Sequence, residues 1–242
     1  MYKYILRQTL YINGKELFQS LFLTFTKKYH SLKMIDEFEK SFANFIGVKK
    51  VITYPSARIS LIKLFKFLDI SKNDEIILPN HTYKGFLNII ESFDAIPIFV
   101  DIDMSFNIDI TKIKDALTNK TKVIIIPYNY GNPCDIIKIK KIVGKKVKVI
   151  EDCTQSIGST YKKRNLGTFG DISIFSFSKG KNFVLVGGCA ISTKNKLIEK
   201  LLDEKKCFID SRIYFIKKII FSLYIWLSSS TKFAQFTTYP FQ

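Results

Sequence analysis

The chain has 242 residues, 47% of them hydrophobic, with 38 Lys+Arg against 21 Asp+Glu for a formal charge of +17. That is enough apolar material for one sizeable core, and it excludes a mainly disordered chain. Six Pro and eleven Gly with no fixed repeat exclude collagen-like, low-complexity and solenoid organisation. The excess charge is mostly Lys scattered in pairs, and Arg stands only at Arg7, Arg58, Arg164 and Arg212. Specific nucleic-acid readers lean on Arg forks, so the pattern reads as a solvated basic surface and no nucleic-acid partner is expected.

Cys134, Cys153, Cys189 and Cys207 show no CxxC pair, and His30 and His81 stand isolated. No metal site and no disulfide framework are expected from that spacing. The first eighteen residues lack an uninterrupted apolar stretch followed by a small-residue cleavage site, so the expectation is a reduced, cytoplasmic protein.

In chain order, residues 1–50 read as a helical segment. Ile35, Phe38, Phe42 and Phe45 fall near helical spacing with charges between them, and Gly47 is a natural stop. The pattern then changes to short apolar strands alternating with helices. Val51–Tyr54 is expected as a strand, Ser56–Leu68 as a helix, Glu75–Leu78 as a strand and Thr82–Phe93 as a helix. Ile96–Ile102 reads as a strand, Asp109–Leu117 as a helix, Lys122–Pro127 as a strand, Asp135–Val143 as a helix and Val147–Ile150 as a strand. Asp171–Phe177 and Gly188–Thr193 read as two further strands before a helix over Lys196–Lys205. Several strands are continuous Ile/Val runs, as strands buried on both faces of a parallel sheet are. The pattern predicts an α/β fold, a three-layer αβα domain with a mostly parallel sheet. In such sheets ligands sit beyond the carboxyl ends of the strands, so the residues just after the strands are the candidates for chemistry.

After the first strand, Ser56-Ala57-Arg58 is a small-residue turn opening a helix; it suits a phosphate, or Ser56 is an ordinary N-cap. After the second, Tyr83 either covers a flat ring or simply packs. Glu151-Asp152-Cys153-Thr154-Gln155 places a carboxylate at the mouth of a buried strand, where it is costly unless it meets a cation or donors, or serves as a helix cap. Gly170–Phe177 leads into Ser178-Lys179-Gly180-Lys181-Asn182 and then Gly187-Gly188, either a basic turn or a desolvated nucleophilic lysine. Together, a phosphate cradle, a stacking aromatic, an acid at a strand end and a lysine on a later strand are the parts of a pyridoxal phosphate site.

These residues carry a resemblance. From about Ile35 to about Lys205 the chain is similar to the DegT/DnrJ/EryC1/StrS aminotransferases, sugar aminotransferases of fold type I. The resemblance rests on Phe38-Glu39, Ser56-Ala57-Arg58, Asp74–Pro79, Thr82-Tyr83, Pro97–Asp103, Tyr130-Gly131-Asn132-Pro133, Ile150–Gln155, Gly167–Asp171, Phe175-Ser176-Phe177, Lys181-Asn182 and Gly187-Gly188. It implies Lys181 as the Schiff-base lysine, with Lys179 the competing candidate at the wrong spacing. It implies Asp152 on the pyridine nitrogen, Gln155 on the cofactor's phenolic side and Tyr83 stacked on the ring. Ser176 and the amides near Ala57 and Arg58 would hold the phosphate. The implied reaction moves an amino group from an amino acid, glutamate foremost, to a nucleotide-linked keto sugar in polysaccharide or amino-sugar biosynthesis, in a homodimer. A dehydratase of the same family is disfavoured because that branch replaces the lysine by His.

Three departures qualify the resemblance. Ala57-Arg58 stands where the family usually has Gly-Thr, and the stretch from Lys181 to the glycine pair is one residue short. Third, the residues after the expected large domain do not read as the family's usual C-terminal small domain, so a shortened organisation is expected. The expected organisation is a helical segment over 1–50, a cofactor-binding large domain over 51–206 and an apolar, basic segment over 207–242. Within the last, 213–230 is too short and interrupted to span a bilayer but suits contact with a neighbouring subunit or a membrane surface. A shortened, inactive relative that acts by binding is the reading from another class.

Overall fold

The structure, a computed structural model, describes residues 32–178, 181–183 and 187–194, together with Phe18, Phe22, Ile216, Lys217, Ile219, Ile220 and Leu223. Helix α1 (Leu32–Ile46) buries Glu39, Phe42, Ala43 and Ile46 along one stripe. Gly47, at φ 86°, ends it by turning back its own amide and that of Val48 onto the Ala43 carbonyl. The central sheet comprises β1 (Val51–Tyr54), β2 (Glu75–Pro79), β3 (Ile96–Val100), β4 (Thr121–Pro127), β5 (Lys148–Asp152), β8 (Ile172–Ser176) and β9 (Cys189–Thr193). A small hairpin, β6 (Thr160–Tyr161) with β7 (Arg164–Asn165), stands apart from it.

The seven strands are ordered β1-β9-β8-β5-β4-β2-β3. Strands β3, β2, β4, β5 and β8 pair in parallel, whereas β9 is antiparallel to both β8 and β1. Five parallel strands and β1 therefore point their carboxyl ends to the same edge, and β9 begins there.

Alternate residues of the Ile/Val runs feed two cores, which is why the runs are continuous rather than alternating. Ile77, Ile124, Ile126, Val149 and Phe175 face α1 and α5 (Ile136–Val143). Ile76, Leu78, Val123, Ile125 and Ile174 face α2 (Ala57–Phe67) and α3 (Gly85–Glu91). Burial of each such side chain contributes roughly 1.5–3 kcal/mol, so the layered sheet is the main stabilising element. Phe42 ties α1 to β8 through edge-on rings of Phe175 and Phe177, each 5.2 Å away.

Four elements differ from the sequence expectation. The helix expected over Thr82–Phe93 begins only at Gly85, because residues 80–83 cross the sheet edge and the Tyr83 carbonyl first accepts the Phe86 amide in a tight turn. The helix expected over Asp109–Leu117 is instead a 3₁₀ turn at Ile110–Lys112, capped by the Asp109 carboxylate on the Thr111 amide, followed by the short α4 (Ile113–Ala116). Strand β5 extends past Ile150, so Glu151 and Asp152 lie within it, paired with Ile126 and Pro127. The β6–β7 hairpin turns through Lys162 and Lys163, both at positive φ, with no Gly or Asn to announce it.

The expected helix over Lys196–Lys205 lies outside the described residues. So do most of 1–31 and of 207–242, including most of the expected contact segment 213–230. None of the described helices is long and apolar enough to cross a membrane.

Candidate functional site

The site is built at the carboxyl edge of the sheet. Asp152 closes β5 there, buried, with one carboxylate oxygen accepting the Thr154 amide at 3.0 Å. Burial raises its pKa above the ordinary carboxylate value, opposed by the Thr154 hydrogen bonds and by the positive charge of Lys181. The Lys181 ammonium donates to the Thr154 hydroxyl at 3.2 Å. Thr154 thus bridges the acid and the lysine, and sequence reasoning passed over it because a Thr two residues after a strand-end Asp reads as an ordinary turn residue. Next to Lys181, the Asn182 amide donates to the Ile157 carbonyl at 2.7 Å and anchors the lysine's loop to the turn after β5. Lys179, the competing lysine, lies outside the described residues.

Neighbouring strands bring in the other candidates. Ser176 closes β8, beside β5, and its buried hydroxyl accepts the Ser178 amide at 3.4 Å. Gln155 is half-buried directly after Thr154, with its carbonyl facing the turn at Gly131. The Ser56 hydroxyl accepts the Ile59 amide at 3.3 Å, so it is the N-cap of α2. Ala57 and Arg58 form the first turn of that helix, where free amides and the dipole favour an anion.

The guanidinium of Arg58 reaches the Tyr83 hydroxyl at 3.4 Å, which joins the turn after β1 to the loop after β2. Tyr83 is 62% exposed, touching Phe86 edge-on. Its ring lies against the bare Cα of Gly85; a Cβ there would stand 2.1 Å from it. The absence of a side chain at Gly85 therefore sets the ring's position, a role a lone helical Gly does not reveal in sequence.

Glu151, one residue before Asp152, faces away from this edge chemistry and pins the loop that precedes β8. Fully buried, it accepts amides from Gly167 at 2.9 Å, Phe169 at 2.8 Å and Gly170 at 2.5 Å. It also accepts the Tyr128 hydroxyl at 2.7 Å, and burial beside this carboxylate pushes the Tyr128 pKa well up. Among the described residues, no group of His, Cys, Asp or Glu is arranged to hold a metal ion.

With this geometry in view, the comparisons decide the lineage. The family model described as the DegT/DnrJ/EryC1/StrS aminotransferase family matches residues 21–209. The chain belongs to that family. GDP-perosamine synthase of Escherichia coli O157:H7 is 37% identical over 166 residues, which is 68% of this chain and 46% of that protein. The dTDP-3-amino-3,6-dideoxy-alpha-D-galactopyranose transaminase of Aneurinibacillus thermoaerophilus is 35% identical over 69% of this chain and 47% of its own. Among solved structures, an aminotransferase from Psychrobacter cryohalolentis superposes with a TM-score of 0.74 at 28% identity, covering 79% of this chain and 50% of that one. An E. coli GDP-4-keto-6-deoxy-D-mannose-3-dehydratase with bound hydrated PLP gives 0.73 at 26% identity, over 80% of this chain and 52% of that one. The fold is that of PLP-dependent enzymes. The chain spans about half the length of the relatives it matches.

The residues present fit that cofactor. A buried carboxylate whose charged form is penalised by burial gains a partner when a protonated ring nitrogen is set against it. The buried hydroxyl of Thr82, between the strand β2 loop and Tyr83, has no hydrogen-bond partner among the described residues and offers a further donor.

Proposed function

We propose that this chain forms the cofactor-binding part of a PLP-dependent sugar aminotransferase, moving an amino group from an amino acid, glutamate foremost, to a nucleotide-linked keto sugar in polysaccharide or amino-sugar biosynthesis. The observation that carries this reading is the convergence of Lys181 and Asp152 on Thr154 at the carboxyl edge of the sheet. The two named relatives, a GDP-perosamine synthase and a dTDP-amino-sugar transaminase, support it.

Pyridoxal phosphate, when bound, supplies an electron-withdrawing ring and a reactive carbonyl carbon for the incoming amino group. The residues of this chain do the rest. Asp152 would accept a hydrogen bond from the ring nitrogen and keep it protonated. The Lys181 amine would hold the cofactor and could carry a proton at its Nζ, steadied by the Thr154 hydroxyl 3.2 Å away. Tyr83 would cover the ring, Gln155 would meet its phenolic side, and Ser176 with the amides of Ala57 and Arg58 would hold the phosphate. The side chain of Arg58, in place of the family's usual Thr, adds a guanidinium to the same end.

The reading includes a homodimer, as the family resemblance implies, and a cytoplasmic location. The test is amino transfer itself. Incubated with PLP, glutamate and a nucleoside-diphosphate 4-keto-6-deoxy sugar, the protein should yield the amino sugar by mass spectrometry together with an equivalent of 2-oxoglutarate. Cofactor binding with neither product would reduce the chain to a binding protein.

A further inference from the structure

A second charged site lies at the opposite edge of the sheet. Lys194 follows β9, and its amide is bonded to the Asp171 carbonyl just before β8 begins. Strand β8 spans five residues, so this edge is about 16 Å from the Lys181 edge at ~3.3 Å per residue.

Here the ammonium groups of Lys140 and Lys194 both donate to one acceptor, the Phe169 carbonyl, at 2.8 and 3.0 Å. Arg164 is stacked 4.5 Å over the Phe169 ring and donates to the Thr168 carbonyl at 3.1 Å. Lys141 completes the wall of a depression of about 300 Å3. Two ammoniums sharing one neutral oxygen, with a guanidinium beside them, repel one another. Asp171 makes a long ion pair with Lys140 at 3.9 Å, and its other oxygen is taken by the Val149 amide, so it only partly offsets the three cations. Glu151, which also faces Lys194, is occupied by three amides and a tyrosine hydroxyl, while Asp36 and Glu39 stand on the wall of the adjoining larger cavity. Burial, followed by repulsion from Lys140, pulls the Lys194 pKa below its ordinary value.

We propose that Lys140, Arg164 and Lys194 form an oxyanion site for a phosphate group, separate from the site at Lys181. A tetrahedral dianion set against the three cations takes charge-assisted hydrogen bonds from each and removes their mutual repulsion. The depression shares Arg164, Thr168 and Lys194 with the wall of a larger cavity, which leaves room beside it for a larger molecule carrying the phosphate.

The test is calorimetric titration of the ligand-free protein with inorganic phosphate and, separately, with ADP as a nucleoside diphosphate. Both run at low ionic strength against the K140Q/K194Q variant. Saturable binding in the wild type that weakens tenfold or more in the variant supports the site. Phosphate held at the Ala57–Arg58 turn would persist in the variant, so undiminished binding there, or none in the wild type, overturns the proposal. Tighter binding of ADP than of phosphate assigns the site to a diphosphate; equal or weaker binding assigns it to free phosphate. Should the double variant lose its cooperative melt, R164Q makes the comparison, with at least a threefold loss expected and an unchanged affinity counting against the site. The K181A variant should bind phosphate at this site as the wild type does.

Discussion

Glu151→Gln is the most informative single change to the scaffold. The substitution keeps the shape of the side chain but replaces one acceptor oxygen by an NH2 group. In the wild type, one carboxylate oxygen serves the Phe169 and Gly170 amides, and the other serves the Gly167 amide and the Tyr128 hydroxyl. With the amide oxygen on the Phe169 and Gly170 side, the new NH2 faces the Gly167 amide, donor against donor. Tyr128 can rotate its hydroxyl and accept instead, but the Gly167 amide cannot turn, because Gly167 already sits at φ 92° with Phe175 close beside it. One buried orphan donor costs about 1–3 kcal/mol, and the surviving bonds fall from charge-assisted to neutral strength, so the loss should total about 3–4 kcal/mol. For a domain of this size that is a fall in Tm of about 6–16 °C, at 2–4 °C per kcal/mol. Thermal unfolding followed by circular dichroism reads it directly. A Tm within 2 °C of wild type would refute the idea that this carboxylate, rather than packing, holds the Gly167–Gly170 loop.

Three further outcomes follow from the same geometry. Because burial raises the Asp152 pKa, protonated Asp152 contributes stability that is complete below about pH 3.8 and is lost as pH rises through the folded-state value. Asp152→Asn should therefore leave the ligand-free protein as stable or more stable at pH 7–8 while abolishing PLP-dependent turnover; a lower Tm at neutral pH would contradict it. Gly85→Ala puts a Cβ where the Tyr83 ring lies, so the ring must swing out. Its PLP affinity, measured by fluorescence titration, should drop about tenfold, the ~1.4 kcal/mol of a lost ring contact, with Tm unchanged or raised by the better helix former. Asn165→Ala removes two hydrogen bonds, at 2.9 and 3.0 Å, to the last carbonyls of α1. It should cost about 1–2 kcal/mol in urea unfolding, and an unchanged midpoint would show that the α1 terminus needs no cap from the hairpin.

The sheet was legible because its strands are Ile/Val runs buried on both faces, a signal strong enough to place β1, β4, β8 and β9 within a residue or two of their limits. Where expectation and structure part, a local polar group decides. The Asp109 carboxylate caps a short 3₁₀ turn where one longer helix was expected, and Lys162 and Lys163 turn a hairpin in the left-handed region without the usual residues. Neither is visible in apolar periodicity. At the site, Lys181 and Asp152 stood out as charges beside buried strands. Thr154, which joins them, and Gly85, which positions Tyr83, did not, because their roles arise from closeness in space between residues far apart in the chain or too bland in type to draw notice.

The central claim is that Lys181 attaches PLP while Asp152 holds its ring nitrogen. The measurement closest to it is the visible absorption spectrum of the purified protein with PLP, beside that of Lys181→Ala. The wild type should show a visible band that borohydride removes with one cofactor left covalently on the tryptic peptide containing Lys181, and glutamate should bleach that band. The variant should show only the spectrum of free or loosely held PLP. An identical band in both proteins, or a reduced cofactor found on any other lysine, would contradict the account.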